Sequence, residues 1–122
     1  MYIGNAFSLN MLPVWATGGS LRFQRLTLEQ AQAEVCHQDY VSAVGHADVA
    51  ALFTEALGVS VPISRINAEL LPGSEDDQIL IGQYVGPRLP EGTTTLPEGA
   101  EIRWVLVTLE DSVDVDLNEG EE

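Results

Sequence analysis

The sequence predicts a small mixed α/β domain, a mixed β-sheet of about five or six strands flanked by helices. Three observations predict it. Val49, Leu52, Phe53, Ala56 and Leu57 recur at i, i+3, i+4, i+7 and i+8, the apolar stripe of an amphipathic helix. Short apolar runs bounded by Gly and Pro, chiefly Ile79-Leu80-Ile81 and residues 102–109, read as strands. The 122 residues are 45% hydrophobic, enough for one domain with a true core.

Taken in order, Tyr2 to Phe7 is a short apolar and aromatic first strand. Ser8 to Leu12 is a turn or single helical turn stopped by Pro13, and Gly18-Gly19 marks a loop. Leu21 to Leu26 alternates apolar with polar, the pattern of a half-buried strand. Thr27 caps a helix from Leu28 to about His37, with Gln30 at the capping-box position. Tyr40 to Val44 is another short strand, ending at Gly45-His46. The amphipathic helix follows and Gly58 closes it. Ile63 to Leu70 reads as a strand, Pro72-Gly73-Ser74 as a turn, and Asp77 to Val85 as a buried strand broken by Gly86-Pro87. Arg88 to Gly92 is a loop, Thr93 to Ala100 is irregular, and Ile102 to Leu109 is a strong last strand. The domain is expected over 1–109, with 110–122 an acidic, flexible tail.

Charge narrows the function. Nineteen acids against five bases give −14, and all five bases are arginines. The last 13 residues carry seven of the acids; without them 12 acids still face five bases, a net of −7. Long nucleic acid needs many phosphate-neutralising cations, so it is not an expected partner. A small anion held by a few arginines and backbone amides is compatible with this balance. No apolar run reaches the roughly 18 to 20 residues of a membrane span. The N-terminal stretch lacks a basic region, so no signal peptide is read and the expected location is the cytoplasm. A single cysteine, Cys36, excludes an intrachain disulfide. Cys36-His37 lacks further Cys/His partners for a metal site, so Cys36 is expected to be a buried apolar residue and no metal or cofactor is expected.

Three stretches can carry chemistry. His46 lies where a strand turns into the Val49–Leu57 helix, in its first turn; it is either an exposed capping residue or a group placed beside an anion at the helix N-terminus. Asp48 reads as a favourable first-turn acid. Arg88-Leu89-Pro90-Glu91 follows the end of a buried strand; it forms an ordinary surface ion pair or supplies a phosphate-clamping fork in Arg88 and a histidine-orienting carboxylate in Glu91. Asn5, Ser8 and Asn10 sit at a strand-to-turn junction, where they cap the turn or meet a ligand.

Together these stretches resemble one family. Asn5-Ala6-Phe7-Ser8, then Asn10-Met11-Leu12, looks like its opening signature; Gly45-His46 starts an amphipathic helix; an Arg-Leu-x-Glu-Gly loop follows at Arg88–Gly92. The family is that of the viral ring nucleases, or type III anti-CRISPR proteins, and the resemblance spans about residues 2 to 109. It implies a homodimer that binds cyclic tetra-adenylate in a pocket across the two-fold. It also implies metal-independent cleavage to linear di-adenylate with a 2′,3′-cyclic phosphate end, which switches off type III CRISPR signalling. By the resemblance, His46 is the catalytic histidine, Glu91 the glutamate working with it, and Arg88 the phosphate-binding arginine. Asn5, Ser8, Asn10 and Gly45 belong to the substrate-binding set. The sequence departs from the pattern at Pro90, where many relatives carry Glu, and at residues 93–99, where they carry a helix. A competing reading is a non-catalytic binder of cyclic oligonucleotides, a sponge or sensor, which needs Arg88 and the Asn5–Leu12 stretch but neither His46 nor Glu91.

Overall fold

The computed structural model describes residues 1–113. Five strands form one mixed sheet: β1 (Tyr2–Gly4), β2 (Gly18–Leu26), β3 (Val41–Ser42), β4 (Gln78–Val85) and β5 (Glu101–Val113), in the order β2-β5-β4-β1-β3. Strand β1 runs parallel to both β3 and β4, whereas β5 is antiparallel to β4 and β2. Two helices, α1 (Leu28–His37) and α2 (Ala47–Leu57), cover one face. No helix among the described residues is long and apolar enough to cross a membrane.

Local rules account for the helices. Thr27 Oγ1 accepts from Gln30 N at 3.1 Å while Gln30 Oε1 accepts from Thr27 N at 2.9 Å, so both halves of the expected capping box form. Helix α1 buries Ala31 and Val35, four residues apart. Cys36 lies one residue, or about 100°, off that stripe. It is exposed, not buried as its apolar character predicts. Helix α2 buries Ala50, Leu52, Phe53 and Leu57. It ends where Gly58 takes φ +74° and donates its N–H to Thr54 O at 3.0 Å, a turn only glycine makes without strain.

The core lies in two layers. On the helix side, Ile3, Leu80, Trp104 and Leu106 meet Ala31, Val35, Phe53 and Leu57. On the other side, Ile79, Ile81, Val107 and Leu109 pack with Leu70, Phe7 and Met11, which irregular segments carry across the sheet. Strand β4 is covered on both faces, which explains its continuous Ile79-Leu80-Ile81 run. Phe53 is fully buried and its ring lies 5.0 Å from that of Trp104, at 55°. Beneath them sits Gly82, where a Cβ would come within 2.6 Å of both rings.

Four segments differ from the sequence reading. Strand β1 stops at Gly4, because the chain then leaves the sheet to cover its second face with Phe7 and Met11. The Gly18-Gly19 pair opens β2 instead of forming a loop; a Cβ at Gly19 would meet the Asp111 carbonyl, so the pairing requires glycine there. Strand β5 runs past Leu109 to Val113, with a bulge that leaves Glu110 between the Ser20–Asp111 and Leu21–Leu109 pairs. Its charged end is exposed and pairs only with an edge strand, so no hydrophobic alternation announces it. The remainder of the expected acidic tail, 114–122, lies outside the described residues.

The fourth difference is Ile63–Leu70, which forms no strand. The segment before it runs beside β3, but side chains replace most of the ladder. Tyr40 Oη donates to Ser60 O, Ser42 Oγ donates to Pro62 O (both 2.6 Å), and only Ser64 N to Val44 O at 2.8 Å joins backbone to backbone. Pro62 has no N–H to offer. Ser42 is buried, and its hydroxyl also accepts from Val44 N at 3.2 Å.

Gly82→Ala forces a methyl against two immobile rings and lowers stability by about 1–3 kcal/mol in chemical denaturation; an unchanged midpoint contradicts the packing described. Ser42→Ala leaves the Pro62 carbonyl and the Val44 N–H without their partner and costs about 1–3 kcal/mol. Ser42→Thr, which keeps the hydroxyl, loses less in the same measurement.

Candidate functional site

Because β1, β3 and β4 are parallel, their C-terminal ends lie along one edge of the sheet. Each stretch singled out in the sequence leaves from one of these ends. Asn5 to Asn10 follow β1, Gly45-His46 follow β3, and Arg88 to Glu91 follow β4. Strand ends of this kind are where ligands bind in open sheets with parallel strands.

A cavity of about 970 Å³ opens at this edge, and Gly45, His46, Arg88 and Glu91 all line it. His46 is the N-cap of α2 rather than a residue of its first turn; its carbonyl accepts from Ala50 N at 2.9 Å. Its side chain makes no capping hydrogen bond, so the imidazole is exposed in the cavity mouth and not committed to the helix. Ala47, Asp48 and Val49 line the same wall, where the first N–H groups of a helix lack intrahelical acceptors.

The opposite wall is the loop after β4. Tyr84 Oη donates to Pro87 O, pinning the loop's entry. Leu89 packs on the helix-side core. Pro90 O accepts from Thr93 N at 3.1 Å and from Thr93 Oγ1, closing a turn of residues 90–93. Gly92 has φ +84° at the third position of that turn, the mark of type II, which places Glu91 at its corner. Pro90 is thus the turn's double acceptor through its carbonyl.

One cavity residue carries no motif in the sequence. Arg65 lines the cavity, and its Nε donates to Gly45 O at 3.2 Å. The Ser60–Ser64 contacts with β3 deliver it there. Gly45 makes room: a Cβ on it would lie 3.1 Å from Arg65 Cγ. The one signal available was scarcity, since Arg65 is among only five cations. Among the described residues, neither Arg65 nor Arg88 forms a salt bridge, whereas Arg22 pairs with Glu110 at 3.2 Å and Arg103 with Glu101 at 2.6 Å. The cavity thus holds two arginines, a histidine and a helix N-terminus against the carboxylates of Asp48 and Glu91.

The Asn5–Asn10 stretch is not part of this lining. Asn5, Ser8 and Asn10 are exposed, and Ser8 Oγ accepts from Asn10 N at 3.1 Å to cap the single 3₁₀ turn Leu9–Met11. Position along the edge associates them with the site; direct contact does not. Among the described residues no three His, Cys, Asp or Glu side chains group as metal ligands do.

A family model described as STIV B116-like matches residues 1–106. Among solved structures, B116 of Sulfolobus turreted icosahedral virus superimposes with a TM-score of 0.73 at 22% identity, covering 88% of this chain and 97% of that one. At this identity the likeness is one of fold. No curated protein sequence matches. With 106 of its 122 residues under one family model, the chain belongs to the STIV B116-like family.

Proposed function

We propose that the protein is a metal-independent ring nuclease that binds cyclic tetra-adenylate across a two-fold homodimer and cuts it to linear di-adenylate with a 2′,3′-cyclic phosphate, switching off type III CRISPR signalling. The observation that carries this reading is the meeting of His46, Arg65, Arg88 and Glu91 around one open cavity at the N-terminus of α2. Three segments distant in sequence supply these groups.

The chemistry suits this inventory. In RNA the nucleophile is already attached, since the ribose 2′-OH adjoins the scissile phosphate. Attack by the 2′-oxygen on phosphorus forms the cyclic phosphate and expels the 5′-oxygen, with the 2′-OH proton passing to solvent. Alignment, not activation of a separate water, is the main requirement. His46 protonates the departing 5′-oxygen. Arg88 and Arg65 present planar forks to the phosphate oxygens, and the α2 N-terminus adds its unpaired N–H groups. Glu91, at the corner of its turn, orients the imidazole. The Asn5–Asn10 segment meets the ring from the adjoining strand end.

Two copies related by a two-fold present two such sets to a ring of four nucleotides, which accounts for two cuts and dinucleotide products. The pairing also brings four arginines to one ligand, which matters for a chain of net charge −14. STIV B116-like membership supports this reading because its match spans all three motif stretches. The acidic balance supports a small, enclosed nucleotide over long nucleic acid.

Incubation with cyclic tetra- and hexa-adenylate in EDTA, with products resolved by chromatography, tests the activity; an intact tetra-adenylate ring overturns it. Light scattering is expected to give twice the chain mass, and a fully active monomer contradicts the shared pocket. His46→Ala retains ligand binding and loses about 10²- to 10⁴-fold in turnover. Arg88→Ala weakens both binding and rate, because a phosphate clamp acts in ground and transition states alike. A His46→Ala protein that binds and cuts at the wild-type rate removes the catalytic assignment. A wild-type protein that binds the ring without cutting it makes the protein a sponge or sensor.

A further inference from the structure

The wall bearing His46 and the wall bearing Glu91 belong to different segments, and the two residues are 45 positions apart in sequence. Among the described residues one hydrogen bond joins them: Gly92 N donates to Asp48 Oδ1 at 3.3 Å. The loop's other hydrogen bonds outside the β-ladder stay within it or run to Tyr84. Asp48 is two residues after His46, and Gly92 is the residue after Glu91. We propose that Asp48 is a positioning residue that ties the Glu91 turn to the first turn of α2 and so fixes the spacing between His46 and Glu91.

Both ends of the tie are built for it. Gly92 adopts φ +84°, a conformation that turns its N–H out of the 90–93 turn while Thr93 N closes the turn on Pro90 O. A side-chain-bearing residue at 92 is strained there. Asp48 is half-buried in the cavity wall, on the rigid first turn of a helix seated by Phe53. Its placement is otherwise unfavourable for an anion site, since it adds a negative charge to a cavity that has only two arginines. An acid that served the helix terminus alone would not need to reach across the cavity. The inference rests on the ring-nuclease reading for its catalytic consequence, and on geometry alone for the tie itself.

The test compares Asp48→Ala, which removes the acceptor, with Asp48→Asn, which keeps an acceptor oxygen and loses the charge. Amide hydrogen exchange in the unliganded protein reads the tie directly. Gly92 N–H is expected to exchange several-fold faster in Asp48→Ala than in wild type or Asp48→Asn; equal rates in all three proteins overturn the proposal. On cyclic tetra-adenylate, both variants are expected to show a lower KM, because each removes a negative charge from the pocket. Only Asp48→Ala is expected to lose kcat, by about tenfold, the scale of a small misplacement of reacting groups, while Asp48→Asn restores it to within about threefold. Equal kcat in the two variants, with melting temperatures lowered alike, assigns Asp48 to the helix terminus instead and overturns the positioning role. If the wild-type protein cuts no ring, the ring-nuclease reading fails, and the Gly92 exchange rates still decide whether the tie exists.

Discussion

Residue 82 has no side chain, and the placement of α2 depends on that. Phe53 drives into the space above Gly82 and against Trp104, so α2 has one seat on the sheet, defined by a glycine on β4 and an indole on β5. Burial of a phenylalanine contributes roughly 1.5–3 kcal/mol, and a tilted aromatic pair adds about 0.5–1.5 kcal/mol. These are large terms for a domain of this size, where net stability is about 5–15 kcal/mol. The helix is rigid, so fixing Phe53 near its middle also fixes His46 at its N-terminal end. The cavity wall that bears the histidine is positioned by an apolar contact seven residues away.

The rest of the site follows from strand direction. With β1, β3 and β4 parallel, each chain reversal that follows them falls on the same edge. The β3 and β4 reversals meet there in one cavity; the β1 reversal lies along the edge beside them. Ligand chemistry can therefore be changed by substitution in these loops while the two-layer core is kept, a division of labour common in sheet proteins.

Much of this was legible in the sequence, for identifiable reasons. Helix α2 declared itself because one face is buried and the other is not, and α1 because Thr27 and Gln30 satisfy each other locally. Strand β4 was legible because burial on both faces leaves it no polar position in Ile79-Leu80-Ile81. Motif residues around Gly45-His46 and Arg88–Glu91 were found because they are local in sequence. What failed was non-local. Ile63–Leu70 has strand composition, yet its neighbour along β3 is held through the hydroxyls of Tyr40 and Ser42, which no propensity encodes. Arg65 reaches the cavity by that same side-chain ladder, so nothing near it in sequence marks it. Cys36 has the residue type of a buried position, but helical phase turns it off the buried stripe, and Gly18-Gly19 has the composition of a turn although Gly19 serves close strand approach in β2.

Strand β2 has a single partner in the sheet, and that partner lies far along the chain: Leu26 stands opposite Trp104 and Gly18 opposite Val113. Between residues 27 and 100 no strand offers β2 a ladder. A folding chain therefore closes its longest loops last, and such topology places it among the slower folders of its size. Until β5 arrives, β2 is an unpaired ribbon displaying Leu21 and Phe23, and even in the finished sheet Phe23 stays 69% exposed. The interval before β5 docks is when the chain is most open to pairing with the wrong strand, its own or a neighbour's. Arg22 and Arg25, projecting from the same ribbon, place like charge on any copy that tries to add edge to edge.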